Sequence, residues 1–271
     1  MPRVPLRRLI SVAIAAVLAV GACQTAPAAP TLTDPREILA AAVTSTAAAR
    51  SVRLDATADG TVTLDLLGMG TPSPIELAGT TVTADLDLEG GDARATFSAP
   101  NLLGLTGEVI AVDGSTYLKS TLTGARYQVL ATGTDVPLPS GAARASILKD
   151  IADFLANPAL EPVKGEDAAC GSTTCYRVDI VLTSEELAAL GAGDLEAPAG
   201  LPIPIPIPDL SAATVDLSVL VAKDTTRLTG IKAVADLGGG AGVATIDLTL
   251  SKWDETVSIS APPADQIAPS R

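Results

Sequence analysis

The chain has 271 residues, of which 47% are hydrophobic but only 2% aromatic, and its formal net charge is −13. It contains no histidine, which excludes Ser-His and Cys-His catalysis and removes the commonest transition-metal ligand. The acidic balance argues against nucleic acid as a partner, because clustered Lys and Arg are needed to bind phosphates.

The first 22 residues have the pattern of a bacterial signal peptide. Three arginines precede an apolar run from Leu9 to Ala22. This run is too short to cross a membrane comfortably and has the length of a signal-peptide core. Residues 20–23, Val-Gly-Ala-Cys, resemble a lipobox, although a lipobox prefers Leu where Val20 stands. The resemblance implies that Cys23 is lipidated after cleavage; the alternative is an ordinary secretory signal with an incidental cysteine.

The segment after the lipobox predicts a tether. Residues 23–33 are rich in Ala, Pro and Thr, which is typical of a flexible connection between an anchor and a folded domain. A single domain is predicted at 34–267. The predicted location is extracytoplasmic, with the protein anchored to the cell membrane by the lipid on Cys23. Export also places the chain in an oxidising compartment, where disulfides persist.

Three segments carry helix signals. Asp34 and Pro35 provide an N-cap and a first-turn proline for "PREILAAAVTSTAAA". The segment "ASILKDIADFLANP" places Ile151 and Phe154 at helical spacing and stops at its Asn-Pro pair. The sequence Thr-Ser-Glu-Glu at 183–186 is a capping box that begins a short third helix.

About ten segments alternate apolar and polar residues with the period of a β-strand. "VRLDATADGTVTLDLL" has this period, interrupted by Asp59-Gly60, and "ETVSIS" near the C-terminus is also predicted as a strand. The clearest case is "TVTADLDLEG", which places four apolar residues on one face: Val82, Ala84, Leu86 and Leu88.

Two segments with glycine predict hairpin turns rather than binding loops. Asp113-Gly114 separates two alternating segments by two residues, which is typical of a tight β-hairpin. The glycine-rich segment 236–244 lacks the Lys-Ser/Thr of a phosphate loop, so it is predicted as a turn. Because each strand has one apolar face, the pattern predicts an α+β fold: an antiparallel sheet with a single covered face and helices as the covering layer.

Two cysteines other than Cys23 lie close together, at Cys170 and Cys175. The residues between them are Gly-Ser-Thr-Thr, which favour a turn. We predict a disulfide that closes a hairpin. A zinc pair would need more ligands nearby, and a thioredoxin-type dithiol has a two-residue spacer.

Carboxylates in the sequence do not form a recognisable catalytic pattern. Asp85 and Asp87 fall on the outward face of a strand, where acidic residues are usually solvated. Glu185 and Glu186 are adjacent on a helix and suit its N-terminal dipole. The sequence therefore predicts a protein that is not an enzyme, with no catalytic residue, no metal site and no cofactor.

The C-terminal segment carries a family resemblance. "IDLTLSKWDETVSISAPPADQI", residues 246–267, resembles the end of the LppX/LprA/LprF/LprG family of bacterial lipid-binding lipoproteins, with "LSKW", a polar turn, a Val/Ile strand and "PP" in the same order. The lipobox, the helix after the tether, Gly165 before a central strand, and a short helix followed by a proline-rich stretch also agree. The cysteine pair and the length of the proline run depart from the family pattern.

The resemblance implies a specific architecture and function. The family has a curved antiparallel half-barrel sheet with helices packed on the concave face, which enclose an apolar cavity. That cavity holds the acyl chains of lipids or glycolipids, which the protein carries or presents. A transporter or acceptor protein would be a further partner, of unknown identity. The alternative is a tethered structural or interaction module with a filled core and no cargo.

Candidate lipid-binding residues follow from the strand and helix patterns and from the proline run. They are Val82, Ala84, Leu86, Leu88, Ile151, Phe154, Ile203, Ile205 and Ile207.

The last three belong to "LPIPIPIPD" at 201–209, where alternating prolines exclude a helix. An edge strand would place the three isoleucines on one face, at the mouth of the cavity. A polyproline II connector would scatter them around its axis.

Overall fold

The computed structural model describes most of the chain beyond the predicted signal peptide and tether. The described residues are 31–64, 72–130, 151–171, 173–189 and 211–269. The described residues from Leu32 onward belong to one compact unit. Within the described part, no helix has both the length and the apolar character that crossing a membrane requires.

The described residues form one open sheet of thirteen strands, in which every pairing of strands is antiparallel. The strands are β1 (Ser51–Leu64), β2 (Ser73–Glu76), β3 (Thr80–Asp87), β4 (Ala93–Ala99), β5 (Leu105–Val112), β6 (Ser115–Ser120), β7 (Gly124–Leu130), β8 (Val163–Lys164), β9 (Ala168–Cys170), β10 (Thr173–Leu182), β11 (Thr214–Ala222), β12 (Leu228–Asp236) and β13 (Gly242–Ser251).

The order across the sheet is β7-β6-β5-β4-β3-β1-β13-β12-β11-β10-β8, with β2 beside β1 and β9 beside β10. The predicted antiparallel sheet is confirmed. The enclosed cavity stays a prediction.

Both predicted hairpin turns are confirmed. Asp113 and Gly114 join β5 to β6 with positive φ values of 50° and 72°, which a two-residue turn of this type requires. The glycine-rich segment joins β12 to β13, where the Leu237 N–H donates to the Gly242 carbonyl at 3.0 Å. Both turns connect neighbours in sequence, so local patterns were sufficient to identify them.

The predicted interruption of β1 at Asp59-Gly60 is wrong. The strand continues through Gly60, whose φ is 106°, to Leu64. A Cβ atom at Gly60 would lie 2.1 Å from the Val243 carbonyl oxygen of the neighbouring strand. Glycine therefore permits a close backbone approach within a continuous strand, where the pattern alone indicated a break.

Helix α1 (Pro35–Ala47) covers one face of the sheet at β10, β11 and β12. The Asp34 side chain accepts a hydrogen bond from the Arg36 N–H at 2.8 Å, so the predicted N-cap is confirmed. Ile38, Leu39 and Ala42 are buried on the side of α1 that faces the strands.

The other predicted helices are short within the described residues. Residues 151–155 are helical, and the Leu160 carbonyl just beyond them accepts a 2.6 Å hydrogen bond from the Arg36 guanidinium. Helix α2 (Ser184–Ala189) begins with the predicted capping box. The Thr183 N–H donates to the Glu186 carboxylate at 2.7 Å, and the Glu186 N–H donates to the Thr183 hydroxyl at 3.3 Å.

One large cluster of buried apolar side chains lies between the helices and the sheet. It takes members from the helical segments and from seven strands, so it is the main core. Its buried members are Ile38, Leu39, Ala42, Val52, Ala84, Leu86, Ala93, Leu155, Leu160, Tyr176, Val178, Ile180, Leu182, Leu187, Ala213, Val219, Val221, Leu228 and Leu250.

The opposite face is also covered in part, so the prediction of a single covered face is wrong. Ile110, Val112 and Tyr127 are buried on that face of β5–β7, and Ile259 of the C-terminal segment packs against them. The Ala268 N–H donates to the Tyr127 carbonyl at 2.8 Å. The "ETVSIS" segment is not a strand in the structure, because it crosses this face instead of joining the sheet edge.

Cys170 and Cys175 form the predicted disulfide, with their Cα atoms 5.9 Å apart. The bond closes the hairpin between β9 and β10. Cys175 is fully buried, and its sulfur lies 3.2 Å from the Thr229 hydroxyl on β12. The disulfide therefore ties the short β9 strand to the interior of the sheet.

We expect Gly60→Ala to lower the free energy of unfolding by roughly 2–4 kcal/mol, because the added methyl group meets backbone atoms and the positive φ disfavours it. Gly239→Ala is the matched control: its φ is 56° and no atom lies within 4 Å of the added Cβ. That variant should lose only about 1–2 kcal/mol from its backbone conformation. Urea unfolding of the two variants measures the difference, and equal losses would contradict the close approach.

Reduction of the disulfide should lower the free energy of unfolding by about 2 kcal/mol, because the loop that it closes is short. Denaturant unfolding with and without reductant measures the loss. The Cys170→Ala/Cys175→Ala variant is the control, since reductant should leave its midpoint unchanged. A parent protein whose midpoint does not respond to reductant would show that the bond contributes nothing.

Candidate functional site

The apolar face of the sheet begins at its central strand. Alternate residues of β1 point to the same face, and Val52 and Ala56 are directly opposite Leu86 and Val82 of β3. Ala56 is also opposite Leu248 of β13 on the other side. Apolar residues from three adjacent strands are thereby aligned in rows.

One of these rows extends across five strands. It runs from Ile231 on β12 through Leu248, Ala56 and Val82 to Phe97 on β4. All of them are half-buried, in contrast to the residues beneath α1. We call this row, together with the neighbouring Ile246 of β13, the apolar strip: Ile231, Leu248, Ile246, Ala56, Val82 and Phe97.

Exposure differs between parts of this face. Val178 and Val219, beneath α1, are 0% exposed, whereas Ile246 in the strip is 48% exposed. At the other end of the strip, the Phe97 ring lies against Gly107 of β5, so closely that a Cβ at Gly107 would be 2.3 Å from the ring. The strip is therefore a band of partly exposed apolar surface at the margin of the main core, against which Ile231 and Leu248 pack.

The candidate residues from the sequence divide into three groups. Ala84 and Leu86 are buried in the main core, and Leu88, Ile151 and Phe154 pack against that core as half-buried residues. The structure therefore brings these five together on one side of the sheet. Val82 shares their face but belongs to the strip. Cys23 and the three isoleucines Ile203, Ile205 and Ile207 lie outside the described residues.

Sequence reasoning missed most of the strip. Phe97 lies in β4, where Ala93, Ala95 and Phe97 alternate with Arg94 and Thr96. The period-two signal is present there, but small alanines weaken it. Ile246 and Leu248 lie in β13, where their alternation with polar residues marks the face on which they lie.

The opposite face of the same strands carries paired charges. The Arg53 guanidinium contacts the Asp85 carboxylate at 2.6 Å, and Arg94 of β4 contacts Glu108 at 2.5 Å. Asp85 is directly opposite both Arg53 and Arg94. The hydrogen bond from Arg53 lowers the pKa of Asp85 and raises the pKa of Arg53. Asp85 is therefore held as an ionised structural partner, which does not suit a general acid.

A tyrosine extends this polar face to β7. The Tyr127 hydroxyl donates to the Glu108 carboxylate at 2.5 Å, and the Lys119 ammonium lies 5.5 Å from the ring centre. Burial, followed by the contact with Glu108, raises the pKa of Tyr127 to about 12. The hydroxyl stays protonated at ordinary pH and serves as a cross-strand hydrogen-bond donor.

A second polar cluster fixes the start of the domain. The Tyr176 hydroxyl accepts a hydrogen bond from the Leu32 N–H at 3.0 Å. The ammonium groups of Lys164 and Lys223 lie over the Tyr176 ring and both contact the Asp167 carboxylate. The hydrogen bond from Lys223 is the main cause of the lowered pKa of Asp167. These charges satisfy one another, so the arrangement is structural.

The described side chains do not indicate a metal site, and the pocket that they form is shallow and charged. Among the residues that the structure describes, no three His, Cys, Asp or Glu side chains form a group that could hold a metal ion. A shallow pocket of about 260 Å³ lies on the charged face of β10–β12. Because Asp179, Asp216 and Lys232 line it, this pocket does not suit an acyl chain.

Comparison with known proteins places the fold. No protein-family model and no curated protein sequence matches the chain. The structure of LppX from Mycobacterium tuberculosis aligns with 84% of this chain and 100% of its own, at 16% identity and a TM-score of 0.47. The structure of LprF from Mycobacterium bovis aligns with 84% of this chain and 96% of its own, at 16% identity and a TM-score of 0.52. The chain therefore has the fold of LprF, and its resemblance to the LppX/LprA/LprF/LprG family is confirmed at the level of the fold.

Proposed function

We propose that the protein is an envelope lipoprotein, anchored to the membrane through Cys23, that binds acyl chains of lipids or glycolipids and carries or presents them. In this proposal it is a binding protein and not an enzyme. The observation that carries the proposal is the apolar strip, a row of half-buried aliphatic and aromatic side chains that crosses five strands.

The strip has the dimensions and chemistry for a hydrocarbon chain. Five strands are separated by four interstrand spacings, so the strip is roughly 19 Å long. Its side chains offer no charge and no hydrogen-bonding group, and adjacent core residues such as Leu54 and Ala95 continue the apolar surface. An acyl chain on this row would be in contact with carbon atoms along its length.

The energetics of such a cargo favour a membrane anchor. Each methylene removed from water is worth about 0.8 kcal/mol, so release of a sixteen-carbon chain into water would cost on the order of 12 kcal/mol. A lipid of this kind does not exchange through solvent at a useful rate. Lipidation of Cys23 with more than one acyl chain would hold the carrier at a bilayer, where cargo can pass directly.

The fold and the sequence support the same proposal independently. The chain shares the fold of LprF, and the lipobox and residues 246–267 resemble lipid-binding lipoproteins. The proline run at 201–209 stays a candidate flank of the binding site, as an edge strand or as a polyproline II connector.

The alternative is a tethered structural or interaction module. One observation favours it. The sequence predicted Ala84 and Leu86 as cargo contacts, but both side chains are buried among the protein's own core residues. The two proposals differ in the strip, which the alternative treats as ordinary partly exposed surface.

Organic extraction of protein purified without detergent tests the proposal directly. We expect mass spectrometry to find lipid in stoichiometric amounts, since an apolar site of this kind would retain its cargo through purification. Protein that contains no lipid and does not bind a fluorescent fatty acid would favour the structural module.

Phe97→Ala should weaken the binding of a fluorescent acyl probe by about tenfold or more, because loss of one large apolar contact is worth roughly 1.5–3 kcal/mol. Thr96→Ala is the matched control, since Thr96 lies on the same strand and is exposed on the opposite face. Circular dichroism of both variants verifies folding. Equal affinities for the two variants would place the cargo away from the strip.

A further inference from the structure

The turns at the two ends of the sheet differ in charge. At one end, the described turns 88–92, 113–114 and 223–227 each carry Asp, Glu, Lys or Arg. At the other end, three described turns carry none: 100–104, 121–123 and 237–241. Charge at that end lies farther along the sheet, where α2 follows β10 with Glu185 and Glu186. We call these three turns together the uncharged end. The chain has a net charge of −13, so three neighbouring turns without a charged residue call for a physical explanation.

Two exposed leucines project from neighbouring turns at the uncharged end. Leu103 is 76% exposed and Leu122 is 46% exposed. Their turns are joined by Thr121, whose N–H donates to the Thr106 carbonyl at 2.9 Å and whose hydroxyl donates to the Gly104 carbonyl at 3.3 Å. The leucines therefore belong to one surface patch.

The backbone at Leu103 does not favour a leucine. Its φ is 56°, in the left-handed region where glycine or asparagine is the usual residue. The preceding Leu102 packs against the small buried cluster that contains Val62, Ile75 and Leu237. Leu103 turns away from that cluster into solvent, so the packing of the described residues does not explain its side chain.

We propose that Leu103 and Leu122 insert into the surface of a lipid bilayer, with the uncharged turns around them at the headgroup level. Insertion buries both apolar side chains, and the absence of charge avoids the desolvation that an acidic turn would suffer there. Acidic turns would also be repelled by anionic headgroups. The described turns at the charged end carry charged residues and present no exposed large apolar side chain.

The composition of the patch favours a bilayer over a protein partner. Protein interfaces are usually anchored by Trp, Tyr or Arg. Turns 100–104 and 121–123 contain only Pro, Asn, Leu, Gly and Thr. Such residues provide apolar contact without the directional groups that select one protein. The contact would let cargo pass between the strip and the membrane, and this consequence rests on the proposed function. The bilayer contact itself does not depend on that function.

A tryptophan placed at position 103 tests the contact with the bilayer. The full chain with Leu103→Trp is incorporated into phosphatidylcholine vesicles that contain brominated phosphatidylcholine, which quenches tryptophan on contact. Asp113→Trp is the matched control, because Asp113 has a φ of 50° in a turn at the charged end. The parent's Trp253 supplies the baseline for both.

We expect a blue shift and a loss of fluorescence at position 103 that position 113 does not show. Equal quenching at the two positions would overturn the proposal. Leu122→Trp repeats the measurement if Leu103→Trp does not fold, with the same two outcomes. Lipid extraction from the same preparations separates the proposals: quenching at position 103 without bound cargo supports the bilayer contact and contradicts the carrier function.

Discussion

The register of β1 is the constraint on which the remaining structure depends. This strand pairs with β3 along one edge and with β13 along the other, so it sets the alignment of both halves of the sheet. Because side chains alternate between faces, a slip of one residue would exchange the apolar and the charged faces. The strip exists only because Ala56 is opposite both Val82 and Leu248. The same register places Arg53 opposite Asp85.

The charged face and the apolar face support each other. Exposed ion pairs contribute little to stability, typically about 0–1 kcal/mol each. Their arrangement still discriminates between registers, since Asp85 lies between Arg53 and Arg94 only in the observed alignment. A shifted β1 would bring like charges or apolar residues into these positions. The polar side of the sheet thus specifies where the apolar strip forms, although it would make no contact with a cargo.

Local patterns predicted the helix caps, the two hairpin turns and the alternation of β3, because each depends on residues close together in sequence. The continuity of β1 at Gly60 depends on Val243, which is distant in sequence, so no local pattern could show it. The same reason accounts for the C-terminal segment that covers Tyr127. Alternation identified the face of Val82 and Leu86 correctly. It could not show that Leu86 is covered and Val82 is half-exposed, since that depends on where the helices pack.

The uneven cover of the sheet connects stability with the proposed function. Beneath α1, residues such as Val178 and Val219 are fully buried and make the core that holds the fold together. Along the strip, the sheet keeps apolar surface that its own helices do not fully remove from water, and this surface contributes less to folding than a buried core would. Under the proposed function, an acyl chain bound there would supply the missing contacts. The buried residues beneath α1 hold the fold together, so the half-exposed row would remain available for the proposed cargo.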